Sequence, residues 1–442
     1  MNRLSAVLGG TLVQLLLLSS LSHSKQSMSN LERDRAQAIL QTIANDVSKH
    51  YYDPNFHGVD WKARVAEAKQ KISSANSFNM SMSYIAAALD SLDDSHTFLM
   101  PPQHAYRIDY GFQYQIVGTH CFVTRVRPGS DAEKVGLKPG DEILGIDNWR
   151  VSRDNLWKLQ YVFSVLRPQG SLRLALQDLS GAQRQLDVPT KVKMGKKQLN
   201  LGGLSQDGDI WDIINQEETY EHLMRARYAE YGNQLIALQV PEFAFSEDEV
   251  YDMLKKARNF PNLIVDLRGN PGGSVNTLKY LVGAMFDKDV KLADRVGRKE
   301  AKPEIAKALH DPYMGKVVVL VDAKSASAAE LFARVIQLEK RGTVVGDLTS
   351  GSVMESRRYQ EQLGADTVIF YGASITEWDL KMSDGKSLEH VGVTPDDVVL
   401  PTAQDLAAGR DPVLAHAAQA LGVRISPDAA GKAFPYEWPP AE

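Results

Sequence analysis

The sequence has one cysteine, Cys121, in 442 residues. That excludes an intramolecular disulfide, and it excludes zinc ribbons and fingers, which need clustered cysteine and histidine. No His/Asp/Glu spacing matches a metal motif, so neither metal nor cofactor is expected. Charge of one sign is also lacking: 50 Lys and Arg against 55 Asp and Glu leave a net charge of −5. A chain that binds nucleic acid as a whole would show a basic balance instead. Long apolar runs are scarce. The one run, from Ala6 to Leu18, is interrupted by Gln14 and falls short of the ~20 residues of a membrane span. Arg3 precedes it, and the small residues Ser22 and Ser24 follow it, the pattern of a cleavable signal segment over 1–24. An uncleaved anchor is the alternative. The expectation is a secreted or periplasmic protein with no membrane span after signal removal. What is present is ordinary for globular chains, 43% apolar and 24% charged, and the length is enough for about three domains.

Residues 25–105 read as an N-terminal helical segment. Ala36, Ile39, Leu40, Ile43 and Val47 recur at helical spacing, further helices fit 61–72 and 82–92, and Pro54 breaks the pattern between the first two. From 106 to 190 the pattern changes to short strands and tight turns. Pro128-Gly129-Ser130 and Lys138-Pro139-Gly140-Asp141 mark turns, and Ser180-Gly181 centres a closing hairpin. This stretch resembles a PDZ domain, with Tyr110, Gly111 and Phe112 in the place of the loop that captures peptide carboxylates. Such domains add an extended peptide at a sheet edge. Residues 191–230 read as a polar surface connector. The segment 231–425 alternates buried strands (235–238, 263–267, 317–321) with helices, and Ser246 and Glu249 form a capping box before one of them. That alternation predicts an α/β layer with parallel strands covered on both faces. Residues 426–442 are left as a C-terminal tail.

Two turns in the α/β segment are built for chemistry. Asp266-Leu267-Arg268-Gly269-Asn270-Pro271-Gly272-Gly273-Ser274 can approach a ligand with its backbone and point N–H groups at it. A phosphate loop would continue with Gly-Lys-Ser/Thr, which is absent, so an oxyanion hole is the better reading. Asp322-Ala323-Lys324-Ser325-Ala326-Ser327-Ala328-Ala329-Glu330 carries two serines at a helix start, where free N–H groups favour developing negative charge. A serine there can also be only a cap.

The helical segment, the PDZ-like domain and these two turns, in this order, resemble the carboxyl-terminal processing peptidase family, also called tail-specific proteases. The resemblance runs from about residue 32 to 425. It implies an α/β, crotonase-like serine peptidase core, nucleophile Ser327, and oxyanion donors from Ala328 and from Gly272 or Gly273. One departure matters. Most members pair the serine with a lysine, and the corresponding stretch here is Thr349-Ser350-Gly351-Ser352, which has none. A serine hydroxyl is a weak nucleophile without a base. Either the chain is inactive or another residue serves.

A tricorn-like branch of the superfamily is similar at two other places. Ser95-His96 matches its serine–histidine pair, and Glu389, before Gly392-Val393-Thr394-Pro395-Asp396, matches its acid. The resemblance then implies that His96 accepts the Ser327 proton, that Glu389 holds the imidazole, and that Ser95 supports the acid. His390 and Lys324 are rival bases: His390 adjoins Glu389, and an exposed Lys324 would stay protonated near ~10.4. Glu330 reads as structural, a carboxylate favoured by the helix dipole. The expected activity is a serine endopeptidase acting on unstructured polypeptides or C-terminal tails. A silent PDZ-bearing peptide-binding scaffold and a small-molecule acyl hydrolase are the alternatives. Nothing in the sequence sets the oligomeric state.

Overall fold

The structure is a computed structural model that describes residues 28–102, 106–194, 220–364 and 368–439. The expected signal segment lies outside the described residues. Among the described residues, no helix is long and apolar enough to cross a membrane.

Three helices open the chain: α1 (Asn30–His50), α2 (Trp61–Ser73) and α3 (Phe78–Asp90). A reciprocal capping box between Ser29 and Glu32 starts α1, and Asp60 and Ser77 cap the other two. The buried stripe of α1, Ile39, Ile43 and Val47, faces a core shared with the later domains. Strand β1 (Phe98–Met100) follows and leaves the helices to pair with a strand nearly 280 residues away.

The PDZ-like domain holds β2 (Tyr106–Asp109), β3 (Phe112–Val117), β4 (His120–Val126), α4 (Asp131–Lys134), β5 (Glu142–Ile146), β6 (Trp149–Arg150), α5 (Leu156–Tyr161), β7 (Ser171–Gln177), β8 (Gln183–Pro189) and β9 (Lys191–Met194). Its main sheet runs β3-β4-β5-β7-β8, which leaves β3 at an edge. Strand β9 pairs with β2, so the polar connector expected from 191 begins as a strand. It also ends as one, because Arg227–Tyr231 forms β10 of the next sheet. Polarity misled there because both are edge strands, each paired with a single neighbour.

The α/β core continues with β11 (Leu235–Gln239), α6 (Glu247–Ala257), β12 (Asn262–Asp266), α7 (Val275–Gly283), β13 (Val290–Val296), β14 (Glu304–Ala306), β15 (Lys316–Val321), α8 (Ala328–Leu338), β16 (Gly342–Gly346), β17 (Met354–Leu363), β18 (Ile369–Lys381), β19 (Asp397–Val398), α9 (Ala403–Ala408), α10 (Pro412–Ala420) and α11 (Pro427–Ala430). One sheet has the order β10-β11-β12-β15-β16-β19, parallel from β11 onward. Leu254 of α6, Leu278 of α7 and Phe332 of α8 cover one face, and Val413 and Leu414 of α10 cover the other. Burial on both faces explains the uninterrupted apolar runs of these strands. The second sheet joins β1, β13, β14 and β17 around the long β18. It fastens the N-terminal helices to the core: Tyr371, Ala373 and Ile375 of β18 pack in one cluster with α1 and the PDZ interior.

Candidate active site

The glycine-rich turn leaves the C-terminal end of β12 and the serine turn leaves the end of the adjacent β15. Strand ends of a parallel sheet are where such folds place ligands. Three contacts lock the turns together. Ser325 Oγ donates to Leu267 O at 2.8 Å, Ala326 N to Asn270 O at 2.9 Å, and Gly269 N to Asp322 Oδ1 at 2.9 Å. The first serine is thereby used up: Ser325 is wholly buried. Arg268 is structural too. Its guanidinium pairs with Asp266 and with Asp411, the cap of α10.

Ser327 is half-buried and sits at φ 54°, ψ −117°. That conformation costs a non-glycine residue ~1–3 kcal/mol and persists only where its surroundings impose it. Here two acceptors fix its N–H: Ser352 O at 2.8 Å and Glu330 Oε2 at 3.0 Å. Glu330 does more than face a helix dipole. It is fully buried and also accepts from Thr349 Oγ1, Gly351 N and Ser352 N. Burial pushes its carboxyl up to about 7 against the pull of these donors.

The residues expected to form the oxyanion hole lie beside Ser327. A Cβ on Gly272 (φ 98°) would meet Ser327 Cβ at 2.7 Å and Ala328 N at 3.0 Å. Gly272 is therefore required for close approach. Its own N–H is committed to Asn270 Oδ1 at 2.7 Å, which removes it as a donor in this structure. The N–H groups of Gly273 and Ala328 have no partner among the described residues.

His96 comes from the turn between α3 and β1. Asp94 shapes that turn by accepting from His96 N, Thr97 N and Thr97 Oγ1, and from Thr376 Oγ1 of β18. Ser95 Oγ lies 2.8 Å from His96 Nδ1 and donates to Glu389 Oε2 at 2.9 Å. Glu389 also accepts from Ser95 N and Val353 N. A carboxylate only accepts and the Ser95 hydroxyl has one proton, so the hydroxyl accepts from Nδ1–H. That tautomer leaves Nε2 with its lone pair. The expectation that Glu389 touches the imidazole is corrected: Ser95 stands between them. Burial lowers the His96 pKa, with Asp94 opposing, so the ring is neutral at pH 7. Ser327 Oγ makes no hydrogen bond to the ring, and apo sites often tighten only with substrate.

The two rivals are placed as follows. His390 Nε2 lies 3.0 Å from Asp93 O and 3.6 Å from Glu389 Oε1, and its ring is more than half exposed. Lys324 is not the exposed lysine the sequence suggested. Burial lowers its pKa, and the groups acting on it are Asp322, Arg125 and Cys121, on the PDZ side of the turn. Cys121 is no nucleophile, since burial pushes its thiol up to about 12. Among the described residues no cluster of His, Cys, Asp and Glu could hold a metal.

In the PDZ-like domain, Tyr110 Oη donates to Phe163 O at 2.9 Å and Phe112 stacks on Tyr114. Gly111 N donates to Asp109 Oδ1 at 2.9 Å. The domain meets the core beside the serine turn: Gln115 Nε2 reaches Asp322 at 3.3 Å, and Gly118 N and Arg153 reach Asp347 at 2.8 and 2.9 Å.

Residues 235–399, which carry both turns and Glu389, match peptidase family S41, and residues 104–177 match the PDZ domain. The core is an S41 peptidase core. The chain is 24% identical over 322 residues to carboxyl-terminal-processing peptidase 3, chloroplastic, of Arabidopsis thaliana, an alignment covering 69% of this chain and 59% of the relative. It is 32% identical over 392 residues to putative tricorn protease homolog 2 of Streptomyces coelicolor, covering 83% of this chain and 30% of that protein. The alignments span 59% and 30% of these two relatives' lengths. Mature CPAF shares the fold, with a TM-score of 0.64 at 16% identity over 86% of this chain and 95% of that one.

Proposed function

We propose that the chain is a serine endopeptidase that cuts unstructured polypeptides or C-terminal tails through an acyl-enzyme on Ser327. His96 is the general base, and Ser95 and Glu389 orient it. The observation that carries this reading is the Ser95 hydroxyl bridging His96 Nδ1 and Glu389. It supplies the lysine-free site with a neutral, correctly protonated base.

Ser327 Oγ attacks the scissile carbonyl carbon as its proton passes to His96 Nε2. The Ser95–Glu389 pair stabilises the imidazolium that forms. The carbonyl oxygen becomes an oxyanion and takes the free N–H groups of Ala328, at the start of α8, and of Gly273 in the glycine-rich turn. Collapse breaks the C–N bond, and the imidazolium delivers its proton to the leaving amine. Water then attacks the ester by the same route and frees Ser327. The PDZ-like domain delivers the polypeptide, whose end or extended segment pairs along β3. The signal-like sequence of 1–24 supports a periplasmic or secreted enzyme.

The test is incubation with an unfolded protein, together with a serine-directed phosphonate. Cleavage, and a phosphonate adduct on the peptide containing Ser327, are expected from the wild type and not from Ser327→Ala. Absence of both in the wild type contradicts the reading and leaves a peptide-binding scaffold.

A further inference from the structure

The segment 434–438 crosses from the core to the PDZ-like domain in an alternating pattern. The Phe434 ring faces Arg227 at 5.9 Å, Tyr436 faces Arg125 at 4.6 Å, and Trp438 faces Arg127 at 4.8 Å. Between the last two, Glu437 is held by Arg225 and His222, each at 2.8 Å. Arg227 lies on β10 of the core. Arg125 lies on β4 and Arg127 directly follows that strand, so the two share a face. Rings stacked on guanidinium groups, with a carboxylate clamped on the other side, make a seated strap rather than a loose tail.

The strap ends on a residue that reaches the peptide-end loop. Arg127 pairs with Asp109, and Asp109 occupies the Gly111 N–H. Arg127 Nε is buried and has no partner among the described residues, a donor that an incoming acceptor would satisfy. Beside it opens a cavity of about 60 Å³ lined by Asp109, Gly111, Arg127, Gly129, Ser130 and Lys191.

We propose that residues 434–438 are a clasp that keeps the peptide-end loop closed. While the clasp is seated, Arg127 is fixed between Trp438 and Asp109, and the Asp109 carboxylate stands in for a ligand on Gly111. When it lifts, the Arg127–Asp109 pair opens and the Asp109 carboxylate leaves Gly111, while the guanidinium stays at the loop. The C-terminal carboxylate of a polypeptide then takes Gly111 N–H and the guanidinium. This rests on the reading of the PDZ-like domain as a receptor for peptide ends.

The test uses the full chain carrying Ser327→Ala, so that peptide is bound and not cut. Affinity is measured for one labelled peptide with a free and with an amidated C-terminus. Three variants are compared with this parent: a chain ending at Ala433, Tyr436→Ala/Trp438→Ala, and the milder Glu437→Gln, with melting curves confirming folding. The clasp predicts binding of the free acid about tenfold tighter in the first two, by release of the closed population, and an unchanged amide. A parent that prefers the free acid, with variants that match it or tighten on both peptides alike, overturns the clasp alone. No preference for the free acid in any protein overturns the peptide-end reading, and the clasp with it.

Discussion

Ser95 and Glu389 stand 294 positions apart in the chain and share two hydrogen bonds, one from the Ser95 N–H and one from its hydroxyl. The second closes a relay to His96. Ser95→Ala removes the relay and leaves the carboxylate without contact to the ring. We expect kcat to fall by roughly 10²–10³, of the order seen when an orienting partner is lost, with KM little changed. Ser95→Thr, which keeps the hydroxyl, should recover most of it. Equal losses in both variants would mean that the hydroxyl serves only packing.

The pH profile follows from the same ring. Only neutral His96 can take the proton, and burial lowers its pKa. The acid limb of kcat/KM therefore lies below the ordinary histidine value of 6.5. Asp94 raises that pKa, so Asp94→Asn should move the limb further towards acid, measured over pH 4.5–8. A limb above 6.5 would contradict a buried, neutral base.

Glu330 gives a prediction about stability. Its carboxyl is raised from 4.5 to about 7, so folding takes up a proton between those values. Its contribution is fullest below pH 4.5 and declines as pH rises to about 7. Glu330→Gln cannot titrate, and its amide faces N–H donors, so Tm should drop at every pH while the difference from wild type narrows towards pH 7. Parallel Tm curves would show that Glu330 does not titrate there.

Two substitutions near the nucleophile should differ sharply. Gly272→Ala puts a Cβ 2.7 Å from that of Ser327, in a backbone conformation that favours glycine, and should cost at least ~10²-fold in kcat/KM by displacing the nucleophile. Ser352 serves the site through its main chain, with O bound to Ser327 and N to Glu330. Ser352→Ala should therefore stay within a few fold. Steady-state rates on one peptide substrate separate the two.

Much of this arrangement can be read from sequence because it is local. The buried strands are apolar runs, the Ser246–Glu249 capping box spans four residues, and the two turns hold their chemistry in consecutive residues. What cannot be read is set by pairing across the chain. Nothing local distinguishes Ser325 from Ser327, yet contact with Leu267 buries the first. Lys324 looks exposed until the PDZ-like domain covers it. Asp94, Asp411 and the aromatics of 434–438 find their partners only in the folded chain. The polar flanks of 191–230 hide two edge strands, whose partners β2 and β11 only the folded chain supplies.

The most direct test of the account is the kcat of Ser327→Ala, His96→Ala and the double variant on one unfolded protein substrate. Nucleophile and base act as a unit, so either single change should cost about 10⁴-fold or more and the second should add little. Glu389→Gln, acting through Ser95, should cost less. Losses that multiply in the double variant, or a His96→Ala enzyme that keeps most of its activity, would contradict the Ser327–His96 assignment.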